Sequence, residues 1–320
     1  MLKKKISSLL IVIAAVMCSV HITAAADSYS SLGDVNADGM VDSFDSLFTL
    51  RASVGLENLT DEQFDRADIN CDGIIDSYDA LMILRLSVAA PNAMAAVNIP
   101  FRLAEPVDGI DVSFWQGEID FEKVKQSGID FVIIRAGGAT DNPAENHPGI
   151  DPRRQGVDPC FEENYAKAKA AGLNVGVYWY SFAENTGEAR REAESCLRAI
   201  AGKQFEYPIF YDLENSYQFD KGIDFCSSLM ETFCGTLREN GYYSAFYMST
   251  FFATNYLNDN IKNNYDCWLA QWSGNVTYTG TYVMWQYSTG RVKGINGEVD
   301  VDYSYIDYPL YIKFRSLNGF

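Results

Sequence analysis

Histidine is almost missing from this 320-residue chain: His21 and His147 are the only two. His21 falls in an apolar N-terminal stretch, so His147 alone remains for chemistry. A Ser-His-Asp or Cys-His nucleophile would have to rest on that residue, in a loop rich in Pro, Gly and Asn, and ranks low. Basic residues are also scarce, with 25 Lys+Arg against 43 Asp+Glu and a net charge of −18. Phosphate backbones need a basic face, so a nucleic-acid partner is excluded. No Cys-x-x-Cys pair occurs, which removes the usual zinc frameworks. Beyond the N-terminus no apolar run is long enough to span a membrane.

What is present begins with a leader. Lys3, Lys4 and Lys5 precede an apolar core from Ile6 to Val20, and Ala24-Ala25-Ala26 supplies a small-residue cleavage site. Residues 1–26 read as a signal peptide, so the protein is expected to be secreted. A lipoprotein reading at Cys18 is weaker, because Val16 and Met17 are not small. Losing three lysines and no acids takes the net charge from −18 to −21. Such acidity fits solubility and cation binding. Six cysteines remain (Cys71, Cys160, Cys196, Cys226, Cys234, Cys267). An even count permits disulfides, but their spacing shows no compact framework, and buried free thiols are an equal alternative.

Two segments then repeat at an offset of 34 residues. In the first, Asp34, Asn36, Asp38, Asp42 and Asp45 fall at positions 1, 3, 5, 9 and 12 of a loop with Gly39 at position 6. In the second the same places hold Asp68, Asn70, Asp72, Asp76, Asp79 and Gly73. Met40 and Ile74, at position 7, would offer backbone carbonyls. A hard cation wrapped by oxygens around a sharp glycine turn is the calcium-loop pattern, so two structural Ca²⁺ ions are expected. Each loop leads into an apolar helix-like run. Short strand-like residues lead into each loop, so no entering helix is expected. The stretch 27–88 carries 3 basic and 13 acidic residues. Residues 89–106, rich in Ala and Pro, read as a linker.

This duplicated loop-and-helix pattern resembles the dockerin module, a small all-α unit that docks onto a cohesin domain. The resemblance implies a cohesin-bearing scaffold as partner and assigns partner choice to the pairs at positions 10 and 11, Ser43-Phe44 and Ser77-Tyr78. Their near-identity implies two binding orientations related by the internal repeat. The plain alternative is that Phe44 and Tyr78 pack on the opposite helix.

From 107 to 320, short apolar runs alternate with helical patterns. Strands are expected at 109–115, 131–137, 174–182, 207–215 and 243–249, with helices at 121–126, 161–171, 188–201, 223–239 and 251–262 between or after them. Three further strands, at 267–272, 282–287 and 299–303, are separated only by loops. Alternating βα units predict a parallel sheet, and eight strands predict closure into an irregular TIM-like (β/α)5(β)3 barrel. Its mouth would lie at the strand C-termini. Asp111, Arg135, Tyr180, Asp212, Glu214, Gln271, Gln286 and Asp300 or Asp302 fall there, beside Trp115, Trp179, Trp268, Trp272 and Trp285. Asp212 and Glu214 are two residues apart, so they share a face. Acids ringed by aromatic platforms suit a carbohydrate site.

Gly109-Ile110-Asp111-Val112-Ser113-Phe114-Trp115-Gln116-Gly117, Phe131 to Gly137, Tyr211-Asp212-Leu213-Glu214 and Val299-Asp300 resemble glycoside hydrolase family 25, the lysozymes. The resemblance implies a muramidase on peptidoglycan, with no cofactor for catalysis. It implies Glu214 as general acid, Asp212 as a stabilising or orienting carboxylate, and Asp111 and Asp300 completing an acidic ring. Trp115, Arg135, Tyr180, Trp268, Gln271, Trp285 and Gln286 are the expected substrate-binding residues. Glu214 must hold a proton near neutral pH, through desolvation and the neighbouring Asp212. Tyr178-Trp179-Tyr180-Ser181 departs from the family's Tyr-His-Phe-like segment, and Asp302 stands where Asn is common. Three other readings stay open. A chitinase-like barrel would want Asp at Tyr207 and Phe210, a silent wall-binding module would not need the full acidic set, and a non-enzymatic scaffold component would be defined by its dockerin alone.

Overall fold

The computed structural model describes residues 32–69, 73–87 and 102–320. The leader, Asn70, Cys71, Asp72 and most of the expected linker lie outside the described residues. The chain divides into two compact units, one made chiefly of residues before 100 and one made of most of the residues after it.

The N-terminal unit holds three helices, α1 (Ser43–Ser53), α2 (Asp61–Ala67) and α3 (Ser77–Ser87). Asp42 caps α1, accepting the Phe44 N–H, while the Asp45 side chain accepts the Asp42 N–H at 2.9 Å. α1 and α3 meet through the Ser46 hydroxyl, which donates to the Ala80 carbonyl at 2.7 Å. Val35, Ile69, Ala80, Met82, Ile83 and Leu86 form a small core. The repeat is reproduced bond by bond. Val35 N–H donates to Asp45 at 2.8 Å and Ile69 N–H to Asp79 at 3.0 Å. Gly39 and Gly73 N–H donate to Asp34 and Asp68, each at 2.9 Å. Both glycines turn at positive φ, +89° and +80°, where a side chain would be strained. One expectation fails: α2 runs directly into the second loop as an entering helix. Its start is set by the Thr60–Gln63 capping box, with Asp61 and Glu62 in the first turn. A short capped helix is not visible as apolar periodicity.

The larger unit is a barrel. In chain order its strands are β1 (Arg102–Val112), β2 (Phe131–Gly138), β3 (Gly156–Val157), β4 (Asn174–Tyr180), β5 (Ile209–Asp212), β6 (Ser244–Ser249), β7 (Cys267–Ala270), β8 (Met284–Gly290) and β9 (Val299–Ile306). Pairing runs β1-β9-β8-β7-β6-β5-β4-β2, and β1 also pairs with β2, which closes eight strands. β3 is a two-residue addition on the edge of β2. Helices α4 (Phe121–Gln126), α5 (Phe161–Ala170), α6 (Thr186–Ile200), α7 (Ser216–Phe219), α8 (Ile223–Glu239), α9 (Thr250–Asn255) and α10 (Asp259–Asn264) follow the first parallel strands, and α11 (Tyr308–Phe314) ends the unit. Strands β7, β8 and β9 have no helix between them, as the (β/α)5(β)3 pattern requires.

All eight residues of β2 are buried, as a parallel strand covered on both faces demands. α6 turns Ala189, Ala193, Cys196 and Ile200 inward and its charged residues outward, apart from Glu192. The sheet is not wholly parallel, however. β9 runs antiparallel to both β8 and β1. The short connection after β8 carries Gly294 and Gly297 at positive φ and makes a hairpin, which forces the reversal. β1 also starts at Arg102, inside the stretch read as linker, and pairs there with Ile306. The expected helix over 251–262 is two helices, broken before the Asn258 cap. Among the described residues Cys160, Cys196, Cys226, Cys234 and Cys267 are free thiols.

Candidate active site

The strand ladder brings the acids together. Asp111, at the end of β1, lies opposite Asp300 at the start of β9. Because β9 is reversed, its beginning reaches the mouth. Asp212 ends β5, flanked in register by Tyr180 of β4 and Tyr247 of β6. Glu214 lies two residues beyond the ladder, before α7. One cleft of about 380 Å³ is lined by Asp111, Asp212, Glu214 and Asp300 together with Trp115, Arg135, Arg154, Tyr178, Tyr180, Tyr247, Trp268, Trp272 and Gln286.

Gln286 holds Asp111. The Trp272 indole N–H and the Tyr247 hydroxyl both donate to Gln286 Oε1, each at 3.0 Å. An indole N–H only donates, so it fixes the amide and turns its NH₂ toward Asp111 Oδ2, at 2.8 Å. Below them Asp302 is wholly buried and accepts the Trp268 indole N–H at 2.8 Å. Trp268 is enclosed by Tyr247, Phe210 and Tyr178.

Burial pushes the Asp111 carboxyl well above the ordinary range, with repulsion from Asp302 and Asp300 adding to it. Burial likewise raises Asp302 and Asp300. Asp212 rises well above its ordinary value, first through burial and then through repulsion from Glu214. Its Oδ1 is buried without a hydrogen-bond partner among the described residues. Glu214 has the most open side chain of the four, yet crowding in the cleft still raises its carboxyl, while Arg154 and the Tyr247 hydroxyl pull it back. Desolvation therefore leads for Glu214. The repulsion expected from Asp212 is felt mainly by Asp212 itself.

Several expected residues take other places. Trp285 and Gln286 are adjacent on β8, so only one can face inward. Gln286 does, and Trp285 packs outside on Tyr287 and Tyr303. Gln271 turns onto its own loop, where it bonds Thr250, Ser273 and Thr277 and its carbonyl accepts the Trp285 N–H. Arg135 reaches the cleft floor, but its guanidinium is buried against Asp158 at 3.6 Å and the loop carbonyls of Arg153 and Arg154. Tyr178, Tyr247 and Arg154 join the cleft without having been singled out as site residues, and Trp272, expected among the aromatics beside the mouth, lines it too. Tyr178 and Tyr247 could have been found from inward alternation along their strands. Arg154 had no signal, because its place depends on the β3 pairing.

In the N-terminal unit the donor set of the first loop is all hard oxygen: Asp34, Asn36, Asp38, Asp42 and Asp45 side chains and the Met40 carbonyl. That chemistry and the Gly39 turn fit calcium. Among the described residues no three acidic side chains gather into a metal cage, and the loop carboxylates accept backbone N–H groups instead.

Glu192 lies outside the cleft. It is buried on α6 and accepts the Phe182 N–H at 2.8 Å and the Tyr211 hydroxyl at 2.6 Å. Burial pushes its carboxyl from 4.5 up to about 7. A carboxyl raised on folding gives its full stabilisation below its unfolded value, and loses it as pH climbs through the folded value. Between pH 5 and pH 8 the barrel should lose about 2.5 kcal/mol through Glu192 alone, with Asp111, Asp212 and Asp302 acting in the same direction. All five tryptophans lie in the barrel, so their fluorescence reports its melting alone. The midpoint should fall by roughly 5–10 °C over that range, and a rise instead would contradict the assignment.

The sequence model of glycosyl hydrolases family 25 matches residues 110–295, and that of the dockerin type I domain matches residues 32–86. The chain is 31% identical to the autolytic lysozyme of Clostridium acetobutylicum over 196 residues, 61% of this chain and 54% of that protein. It is 28% identical to lysozyme M1 of Streptomyces globisporus over 212 residues, 61% of this chain and 66% of that one. The modular autolysin LytC from Streptococcus pneumoniae, solved in complex with a synthetic peptidoglycan ligand, superimposes with TM-score 0.54 at 25% identity, over 63% of this chain and 47% of that chain. The bacterial lysozyme from Streptomyces coelicolor shares the fold, with TM-score 0.54 at 21% identity, over 67% of this chain and 99% of that one. The chain thus spans about half the length of the autolytic lysozyme and of LytC. With its family model covering more than half of its residues, the chain belongs to the glycosyl hydrolases family 25, with a type I dockerin domain preceding the barrel.

Proposed function

We propose that the barrel is a secreted muramidase, hydrolysing the β-1,4 bond between N-acetylmuramic acid and N-acetylglucosamine in peptidoglycan. The observation that carries this reading is the set of four carboxylates around one aromatic-walled cleft, two of them, Asp212 and Glu214, reached from the end of a single strand. Glu214 is the open member and protonates the leaving oxygen. Asp212, enclosed beneath it, stabilises the reacting centre or orients the 2-acetamido group. Asp111, held by Gln286, and Asp300 complete the acidic ring. Trp115 and Trp272, 64% and 61% exposed, offer ring faces for sugars. Digestion of defined peptidoglycan, with the new reducing ends identified by mass, tests it. Reducing-end muramic acid supports the reading, and reducing-end glucosamine or no release refutes it.

The N-terminal unit holds calcium and attaches the enzyme to a cohesin-bearing scaffold outside the cell. Eight of its exposed apolar side chains come in pairs at the repeat offset: Met40 with Ile74, Phe44 with Tyr78, Leu47 with Leu81, Leu50 with Leu84. Two equivalent faces would serve one partner in either orientation. Changing Ser43-Phe44 to Ala-Ala should alter cohesin affinity by no more than ~3-fold, whereas changing Ser77-Tyr78 as well should cost about 100-fold or more. Calorimetry with a purified cohesin decides, and a complete loss from the first pair alone would sink the two-orientation reading.

A further inference from the structure

Cations are scarce in the cleft. Among the described residues Arg135 and Arg154 are the only basic ones lining it, and Arg135 is occupied by Asp158 and the loop carbonyls. Arg154 is different. Its guanidinium lies over the Tyr180 ring, 4.9 Å from the centroid, and 5.6 Å from that of Phe182. It forms no ion pair with any carboxylate among the described residues, although it faces Asp212 and Glu214. Pairing with Glu214 would hold that carboxyl ionised and spoil it as an acid.

The fold takes trouble to place this residue. The Arg135 guanidinium donates to the Arg154 carbonyl at 2.7 Å. Asp158, which pairs with Arg135, also accepts the N–H groups of Phe114 and Cys160. β3 follows within two residues and pairs with Gly137 and Gly138 of β2. A Cβ at Gly138 would come within 2.8 Å of the Arg154 carbonyl, so only glycine lets the segment lie this close. A buried ion pair, a short ladder and a glycine thus hold at the mouth of an acidic cleft a guanidinium that touches Tyr180 but pairs with no carboxylate among the described residues.

We propose that Arg154 is a specificity-determining residue that binds a carboxylate on the muramoyl branch of the substrate. The inference rests on the muramidase reading above. An anionic glycan entering a cleft with four carboxylates meets repulsion, and the planar fork of arginine matches a carboxylate in two parallel hydrogen bonds. The carboxylate has two sources: the lactyl group itself, where no peptide is attached, or the stem peptide, where the lactyl group is an amide.

The test measures binding by calorimetry in the Glu214→Gln background, so that no turnover occurs. Three tetrasaccharides serve as probes: chitotetraose, which is neutral; a glucosaminyl-muramoyl tetrasaccharide with free lactyl carboxylates; and the same bearing L-alanyl-D-glutamate stems. Arg154→Gln should weaken a carboxylate-bearing probe by about 10-fold or more and chitotetraose by less than about 2-fold. Arg154→Lys should recover part of the loss, and added salt should shrink the difference. Loss confined to the lactyl probe, or shared by the stem probe, locates the carboxylate and supports the assignment either way. Equal weakening of all three, or none, overturns it. Chitotetraose binding doubles as the control for folding. If the Glu214→Gln chain binds none of the probes, the glycan reading itself fails and the role of Arg154 falls with it.

Discussion

Glu214→Gln should lower the turnover of peptidoglycan by about 10³-fold while the melting temperature and the affinity for wall fragments stay close to those of the parent chain. The amide keeps the shape of the acid and removes its proton. General acid catalysis contributes on the order of 10²–10⁴-fold, and departure of a sugar alkoxide without protonation is the hard part of this reaction. Folding should tolerate the change, because Glu214 is the open member of the cleft and the amide oxygen can still accept the Tyr247 hydroxyl. The same variant separates two effects that a bare activity loss would merge. If Glu214 only bound substrate, KM would rise with kcat little changed; as the acid, it takes the loss in kcat. Near-normal turnover of defined peptidoglycan would refute the assignment. Asp212→Asn is a sharper probe of the less certain carboxylate, since Asp212 Oδ1 is buried without a partner. Its loss should also fall on kcat, because an enclosed carboxylate beneath the acid has little ground-state sugar to touch.

How far the sequence was readable follows from which signals are local. β2 is buried throughout and opens on the continuous apolar run Phe131-Val132-Ile133-Ile134, and the ends of α4 and α8 are marked by Gly128 and by Asn240-Gly241. Spacing two residues apart near a strand end was enough to join Asp212 and Glu214. The strand ends also put Asp111 and Asp300 or Asp302 at the mouth, and the resemblance chose Asp300; Asp111 and Asp300 share the same cleft. What failed was non-local. Strand direction depends on whether a connection is a crossover or a hairpin, and residues 291–298 show only that the link is short. Composition placed Trp285 and Gln286 together in the mouth, whereas the pleat sends neighbours to opposite faces. Arg154 sits in a stretch that reads as loop, and only the pairing of Gly156–Val157 with β2 shows where it goes. Its anchor, Asp158, looked like one more acid in an acidic chain. In the N-terminal unit the repeat gave the loops directly, but α2 was hidden because its stability comes from capping rather than from an apolar stripe.

Chelation of calcium should unfold the N-terminal unit and abolish cohesin binding while leaving peptidoglycan hydrolysis intact. The unit's described core is small, with Val35, Ile69, Ala80, Met82, Ile83 and Leu86 among its main buried side chains, and modules of this size usually need a staple. Stretch 27–88 carries 13 acidic against 3 basic residues, a net of −10, and two Ca²⁺ would cancel about four of those charges. Opposing this, the loops are partly held by their own hydrogen bonds, such as those from Val35, Asn36 and Asp42 to Asp45. Each such bond is worth about 1 kcal/mol net. Two sites filled at 100 times their Kd supply about 5 kcal/mol together, comparable with the whole stability of a small domain. The metal term should therefore decide whether the unit is folded. Circular dichroism should lose the helical signal of α1, α2 and α3 on addition of EDTA and regain it with excess calcium. Tryptophan fluorescence, which comes wholly from the barrel, should not move. Asp38→Asn, at an exposed ligand position, should raise the calcium needed for cohesin binding without touching the core. Helicity and cohesin affinity that survive EDTA unchanged would show that the loops stand by their hydrogen bonds alone.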